Sequence, residues 1–156
     1  MQVSCTIHRL SWVLMLTLWG IQIGPAKAEG QAVPQTYYVQ LIRGTDQERQ
    51  PEANWKPVGP KLANRLSPVF RWKHYWEVNC QPVSVETGKV SRCRLNDVRE
   101  IEIELTPPSE IEFRLYSKGK LMEKSRHLAH TRMGIMGGER TKNESWFVVV
   151  RRDKPQ

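Results

Sequence analysis

Short stretches of alternating apolar and polar residues recur along the chain and predict β-strands. In Thr36–Arg43 (TYYVQLIR), Tyr37, Val39 and Leu41 share one face of an extended segment, whereas Ile42 lies on the other. Both faces of this segment carry large apolar side chains. This alternation predicts the first strand.

The aromatic segment 70–79 (FRWKHYWEVN) alternates in the same way and predicts a half-buried strand whose inner face includes Trp72. Its outer face would carry Arg71, Lys73 and Tyr75 as a basic and aromatic stripe. Such a stripe is a candidate binding surface for a partner, because cations and aromatic rings contact acidic groups and sugar rings. It could equally pair with acidic side chains of a neighbouring strand.

Two further segments, VREIEIEL and IEFRLY, predict an antiparallel hairpin around the turn TPPSE. One register brings three apolar pairs onto the same face: Leu105–Ile111, Ile103–Phe113 and Ile101–Leu115. On the opposite face, Glu102 would lie across from Arg114. The period-two spacing of Glu100, Glu102 and Glu104 is typical of a solvated strand face, so we interpret these carboxylates as structural.

The remaining elements complete an all-β fold. Residues 60–69 (PKLANRLSPV) predict one short helix, with Leu62 and Leu66 on one face and Pro68 at its end. The charged segment 120–126 predicts an edge strand, and the apolar run in 145–152 predicts a central one. Together these elements predict a small antiparallel β-sandwich of about seven strands with one short helix.

The segment Gly44–Gly59 lacks periodicity and contains two prolines, which predicts a long loop. Trp55 is the one large aromatic residue within it. A tryptophan in such a loop either folds back against the core or forms part of a binding face. Both interpretations remain open from the sequence, and Trp55 is a candidate partner-binding residue.

The N-terminal residues resemble an export signal. A short segment with Arg9 is followed by an apolar run, Leu10–Ile23, and by small residues at Ala26 and Ala28. We predict a signal peptide over 1–28 that is cleaved after Ala28, a single domain over 29–152, and a disordered tail over 153–156. The predicted location is secreted or periplasmic, and an uncleaved membrane anchor is the alternative.

Cleavage after Ala28 would leave two cysteines, Cys80 and Cys93, in a compartment that permits disulfides. They flank the segment CQPVSVETGKVSRC, which predicts a hairpin whose register would bring them opposite each other. Such a disulfide would close a loop of about 14 residues and contribute about 3 kcal/mol to stability. Two free buried thiols are the alternative.

The stretch SRHLAHTRMGIMGGER combines two potential kinds of copper ligand, imidazole and thioether groups. The four candidate residues are spaced by three: His127, His130, Met133 and Met136. Neither an α-helix nor a strand brings side chains at this spacing to one side. We therefore favour an ordinary glycine-containing loop and no resident metal, and keep copper binding as an alternative.

The composition and the sequence motifs limit the classes of function that this chain can have. The chain has 24 Lys and Arg residues against 16 Asp and Glu, a formal charge of +8. No nucleophile elbow or zinc-type Cys/His spacing occurs in the sequence. We predict a non-enzymatic module without a cofactor that contacts an exported or envelope protein, and not nucleic acid. The alternatives are a module for acidic glycans or membrane headgroups, and a copper-binding protein.

Overall fold

The computed structural model describes residues 33–48, 52–137 and 141–155. The predicted signal peptide and its cleavage site lie outside these residues. The elements, in chain order, are β1 (Gln35–Thr45), β2 (Lys56–Pro57), α1 (Pro60–Phe70), β3 (His74–Val85), β4 (Val90–Arg94), β5 (Arg99–Thr106), β6 (Glu110–Ser117), β7 (Lys120–Leu128), β8 (Met133–Met136) and β9 (Glu144–Arg151).

The strands form two antiparallel sheets. The first sheet has the order β2-β3-β1-β9-β8, and the second has the order β4-β5-β6-β7. This confirms the predicted all-β sandwich with one short helix. Within the described residues, strands β2 and β8 come from segments that the sequence predicted as loops.

An apolar core, the inter-sheet core, lies between the two sheets. It draws on the inward faces of strands from both sheets: Tyr37, Val39, Leu41, Val83, Val85, Leu95, Ile101, Ile103, Leu105, Ile111, Phe113, Leu115, Met136, Val148 and Val150. Tyr37, Val39 and Leu41, which alternation placed on one face of β1, all belong to this core. Burial of this surface is the main contribution to sandwich stability.

A second apolar cluster, the helix-side core, covers the opposite face of the first sheet. Here Leu62 and Leu66 of α1 pack with Ile42, Phe147 and Val149. Strand β9 thus contributes side chains to both cores, as its continuous apolar run predicted. It lies between β1 and β8, so its predicted central position is also confirmed.

Helix α1 continues through Pro68 to Phe70, so the predicted end at Pro68 is wrong. The helix instead ends at Arg71, which has a left-handed backbone conformation (φ 61°) and donates its N–H to the carbonyl of Ser67 at 3.1 Å. The two residues beyond Pro68 place the ring of Phe70 on that of Phe147, with centroids 4.4 Å apart. This stacking favours a helix that extends beyond its proline.

The aromatic segment 70–79 does not form the predicted single strand. Strand β3 begins only at His74, and Tyr75 faces the helix-side core together with Trp72. Further along, the register with β1 shifts between Leu41 and Ile42. This bulge lies beyond Tyr75 and does not decide its face. Tyr75 lies on the same face of β3 as Glu77, as alternation predicted, and that face is buried because α1 covers it.

The second sheet follows the sequence prediction closely. All three predicted apolar pairs of the β5–β6 hairpin are present, and Glu102 lies opposite Arg114. Strand β7 is at the edge of this sheet, as its charges predicted. Local side-chain pairing was thus sufficient to determine this part of the fold.

The outer face of the second sheet carries a network of ion pairs around two buried glutamates. Glu112 is only 4% exposed and contacts Arg114 at 2.5 Å, Arg126 at 2.8 Å and Lys124 at 3.1 Å. The hydrogen bond from Arg126, with those from Lys124 and Arg114, outweighs the effect of burial and lowers the pKa of Glu112 to about 2. Glu112 therefore stays ionised down to low pH.

Glu102 is the second buried glutamate of this network. Burial alone would raise its pKa, but hydrogen bonds from Arg92, Tyr116 and Arg114 lower it. The hydroxyl of Tyr116 donates to Glu102 at 3.0 Å. The glutamate face that the sequence predicted as solvated is therefore covered by basic side chains from neighbouring strands.

Replacement of Leu66 by alanine tests the helix-side core. Leu66 is fully buried, so we expect Leu66→Ala to reduce the free energy of unfolding by about 2–5 kcal/mol, measured by urea denaturation. Val69→Ala on the same helix is the control, because Val69 is 65% exposed and should change stability by less than about 0.5 kcal/mol. Equal effects of the two substitutions would contradict the packing of α1 on the sheet.

The ion-pair network predicts a specific acid sensitivity. The folded-state pKa of Glu112 lies below its unfolded value, so the unfolded chain binds more protons and stability is lost as the pH falls from about 4.5 towards 2. Glu112→Gln removes this group. The variant should be less stable at pH 7, and its melting temperature should decline less steeply than that of the wild type between those pH values.

Glu86→Gln is the control for this measurement, because Glu86 lies on an exposed turn and pairs only with Lys89 among the described residues. Its melting temperature should follow the wild-type pH dependence. If Glu112→Gln also followed that dependence, Glu112 would not be the source of the acid sensitivity.

Candidate ligand cleft

An open cleft of about 730 Å³ lies at one end of the sandwich. Its walls come from the C-terminal part of β1, the middle of β3 and the start of β9, from the turn between β4 and β5, and from the loop that precedes β2. Clefts of this size that combine aromatic and polar groups are common ligand sites. We therefore take it as the candidate functional site.

Trp55 forms part of the wall of this cleft. Its side chain is 6% exposed, and its backbone N–H donates to the carbonyl of Glu52 at 3.1 Å. The following residues, Lys56 and Pro57, pair with β3 and hold the loop to the first sheet. Trp55 is thus buried and borders the cleft, and its role as a partner-binding residue stays a prediction.

Two arginines in the cleft are stacked on tryptophan rings. The guanidinium carbon of Arg43 is 5.0 Å from the ring centroid of Trp55, and that of Arg99 is 3.6 Å from the centroid of Trp146. A stacked guanidinium loses little further freedom when it binds a ligand, because the ring already restricts its position. The pairs Arg43–Trp55 and Arg99–Trp146 therefore form a preorganised polar and aromatic surface.

Arg99 is further positioned by the turn before β5. The side-chain oxygen of Asn96 accepts hydrogen bonds from the backbone N–H groups of Val98 at 3.1 Å and Arg99 at 2.8 Å. This fixes the point at which β5 begins. Arg99 thus enters the cleft from the second sheet, whereas Arg43 enters from the first.

The cleft carries charges of both signs. Arg43 forms an ion pair with Glu144, and Asp97 lies fully exposed at the rim, 3.5 Å from Arg94. Glu52 contributes a third carboxylate to the lining. These three carboxylates would repel a ligand that carries many negative charges. The cleft therefore favours a ligand of mixed charge with some apolar surface.

The site residues predicted from the sequence did not include Arg43, Arg99 or Trp146. They come from three separate strands, and no motif connects them. A weak signal was present, because each lies next to the end of an apolar strand segment, where side chains border the rim of a sandwich.

The predicted stripe of Arg71, Lys73 and Tyr75 is not formed, which corrects the sequence interpretation. Tyr75 is 7% exposed and packs edge-on against Phe147, with ring centroids 6.1 Å apart. Burial raises the pKa of its hydroxyl. Arg71 ends helix α1, and Lys73 precedes β3, because the strand begins later than alternation suggested.

The four candidate copper ligands lie apart in the structure. Met136 belongs to the inter-sheet core, whereas Met133 packs against the helix-side core on the other face of the sheet. His127 lies in β7 beside Phe113, and His130 is exposed in the turn before β8. Among the described residues, no group of three His, Cys, Asp or Glu side chains is arranged to hold a metal ion.

The segment between Cys80 and Cys93 does not form the predicted hairpin, because β3 and β4 belong to different sheets. Side chains link the two strands instead, for example from Gln81 to the carbonyl of Arg94 at 2.9 Å. Cys80 lies opposite Gln40 on the face of β3 turned away from the second sheet, whereas Cys93 is in the inter-sheet core. The predicted register is therefore wrong.

Both cysteines are free thiols in the structure. The thiol of Cys93 donates to the side-chain oxygen of Gln81 at 3.4 Å. The structure thus gives no support to a Cys80–Cys93 disulfide, which stays a prediction. Burial raises the pKa of both thiols, that of Cys80 to about 11, with a smaller contribution from Glu77.

Comparison of the chain with protein-family models, with curated proteins and with solved structures gives no match. In the described part of the chain, no helix has the length and apolar character needed to cross a membrane. The cleft and the surface of the sandwich are therefore the features from which a function can be inferred.

Alkylation distinguishes the two states of the cysteines. With the thiols free, a pKa of about 11 leaves only about one Cys80 in a thousand as thiolate at pH 8, so the native chain should react at least about 100-fold more slowly than the denatured chain. Mass spectrometry of a chain from Glu29 onward should then find two adducts in denaturant without reductant. No adduct until reductant is added would instead establish the predicted disulfide.

Proposed function

We propose that this protein is a non-enzymatic binding module for another exported or envelope protein, and that the cleft accepts a segment of this partner. The observation that supports this most is the presence of two arginine–tryptophan pairs in one open cleft. Tryptophan and arginine are the residues most enriched among those that contribute strongly to protein–protein binding. The proposed export rests on the N-terminal sequence.

The charges of the cleft support a protein segment over a polyanion. Arg43 is already paired with Glu144, and Asp97 adds a negative charge at the rim. An acidic glycan or a headgroup surface would meet these carboxylates as well as the arginines. A peptide of mixed charge can instead pair with both signs and place an apolar side chain against the tryptophans.

Site-specific photo-crosslinking in the native host tests this proposal. A photoreactive amino acid replaces Asn54 or Asp97, which are exposed and line the cleft. Both positions should capture the same single protein, and the yield should change little between about 0.05 and 0.5 M salt, because apolar contacts are not screened. Mass spectrometry then identifies the partner.

The matched control places the same photoreactive residue at Lys89, which is exposed in the turn between β3 and β4, away from the lining of the cleft. It should not capture this protein. Capture only at low salt would favour an acidic glycan or headgroup ligand. Equal capture from Lys89, or different proteins from Asn54 and Asp97, would contradict the proposal.

A further inference from the structure

Strand β7 leaves one long edge of the second sheet unpaired within the described residues. It spans Lys120–Leu128 and pairs with β6 on one side only. Its contact with the first sheet comes through a side chain, since Glu123 accepts the N–H of Gly137 at 2.5 Å. The carbonyl of Leu128 already accepts the N–H of Thr131 at 2.9 Å, so an additional strand would pair with backbone groups that precede it.

Large apolar side chains are exposed along this edge strand. Leu121, Met122 and Leu128 are 51%, 57% and 53% exposed. Met122 lies where the register with β6 shifts, so the regular part of the edge runs from Glu123 to Leu128. An added strand would cover apolar surface at both ends of this regular part.

The charges of β7 indicate which kind of strand could pair with its free edge. Lys124 and Arg126 are 51% and 58% exposed on the outer face, and each also contacts Glu112. An antiparallel second copy of β7 in a central register would place Lys124 and Arg126 opposite basic side chains, which is unfavourable. An acidic strand would meet complementary charges, so these residues admit such a partner and oppose self-association.

Polar groups on the inward side of the strand add a second requirement. The hydroxyl of Ser125 and Nε2 of His127 are buried without hydrogen-bond partners among the described residues. Both lie opposite core residues of β6, Phe113 and Ile111. A partner with short hydroxyl side chains at its inward positions would bring hydrogen-bonding groups close to them.

We propose that the free edge of β7 binds an extended acidic segment of another protein, which adds to the second sheet as a fifth strand. Its outward side chains are acidic and lie next to Lys124 and Arg126, and its inward side chains are small or hydroxylated. This docking site is separate from the cleft. The proposal for this site does not depend on the function proposed for the cleft.

The test uses a short synthetic peptide in which glutamate alternates with threonine or valine. Backbone amide exchange of the full chain is followed by NMR with and without the peptide. Alternate amides between Glu123 and Leu128 should gain protection, and the gain should be lost at about 0.5 M salt. A peptide with lysine in place of glutamate should give no protection.

Two matched variants locate the contact. Leu128→Glu adds a negative charge and removes apolar surface from β7, so it should weaken peptide binding at least about tenfold. Val90→Glu makes the same type of change on β4, the opposite edge of the same sheet, where Val90 is 50% exposed, and it should bind like the wild type.

Three results would overturn the proposal: no protection of β7 with the glutamate peptide in excess, protection on β4 instead, or equal binding by the two variants. Melting temperatures establish that both variants are folded. Protection confined to cleft residues such as Arg43 would also overturn it, while leaving the function proposed for the cleft intact.

Discussion

The structure depends on one strand that is apolar on both faces. In β9, Val148 and Val150 belong to the inter-sheet core, whereas Phe147 and Val149 belong to the helix-side core. A single strand therefore joins the sandwich to the layer formed by α1. Trp146 lies near the start of the same strand and lines the cleft, so the position of its ring is fixed by the most deeply buried part of the chain.

The sequence predicted those parts of the fold that depend on contacts between residues close together in the chain. The β5–β6 register was predictable because its apolar pairs are close in sequence and share one face. The separation of β3 from β4 was not, because it depends on how the two sheets pack. The same holds for Tyr75, which is buried because the helix α1 covers its face of the first sheet. In the cleft, Trp55 was recognisable as an aromatic residue in a polar loop, but its neighbours come from distant strands.

The count of 24 Lys and Arg residues overstates the basic surface that is free to bind a ligand. Arg92, Arg114 and Arg126 are engaged with glutamates across the second sheet, and Arg43 is paired in the cleft. Basic composition therefore reflects internal pairing as much as affinity for polyanions.

The order of the strands also affects how quickly each part of the fold can form. Strands β4–β7 are consecutive in the chain and pair only with their neighbours in sequence, whereas β1 must pair with β9, as Tyr38 does with Arg151. Contacts between near neighbours close small loops and form quickly, and distant ones form slowly. We therefore expect the second sheet to form early, and β1 can pair with β9 only after the last strand has been synthesised.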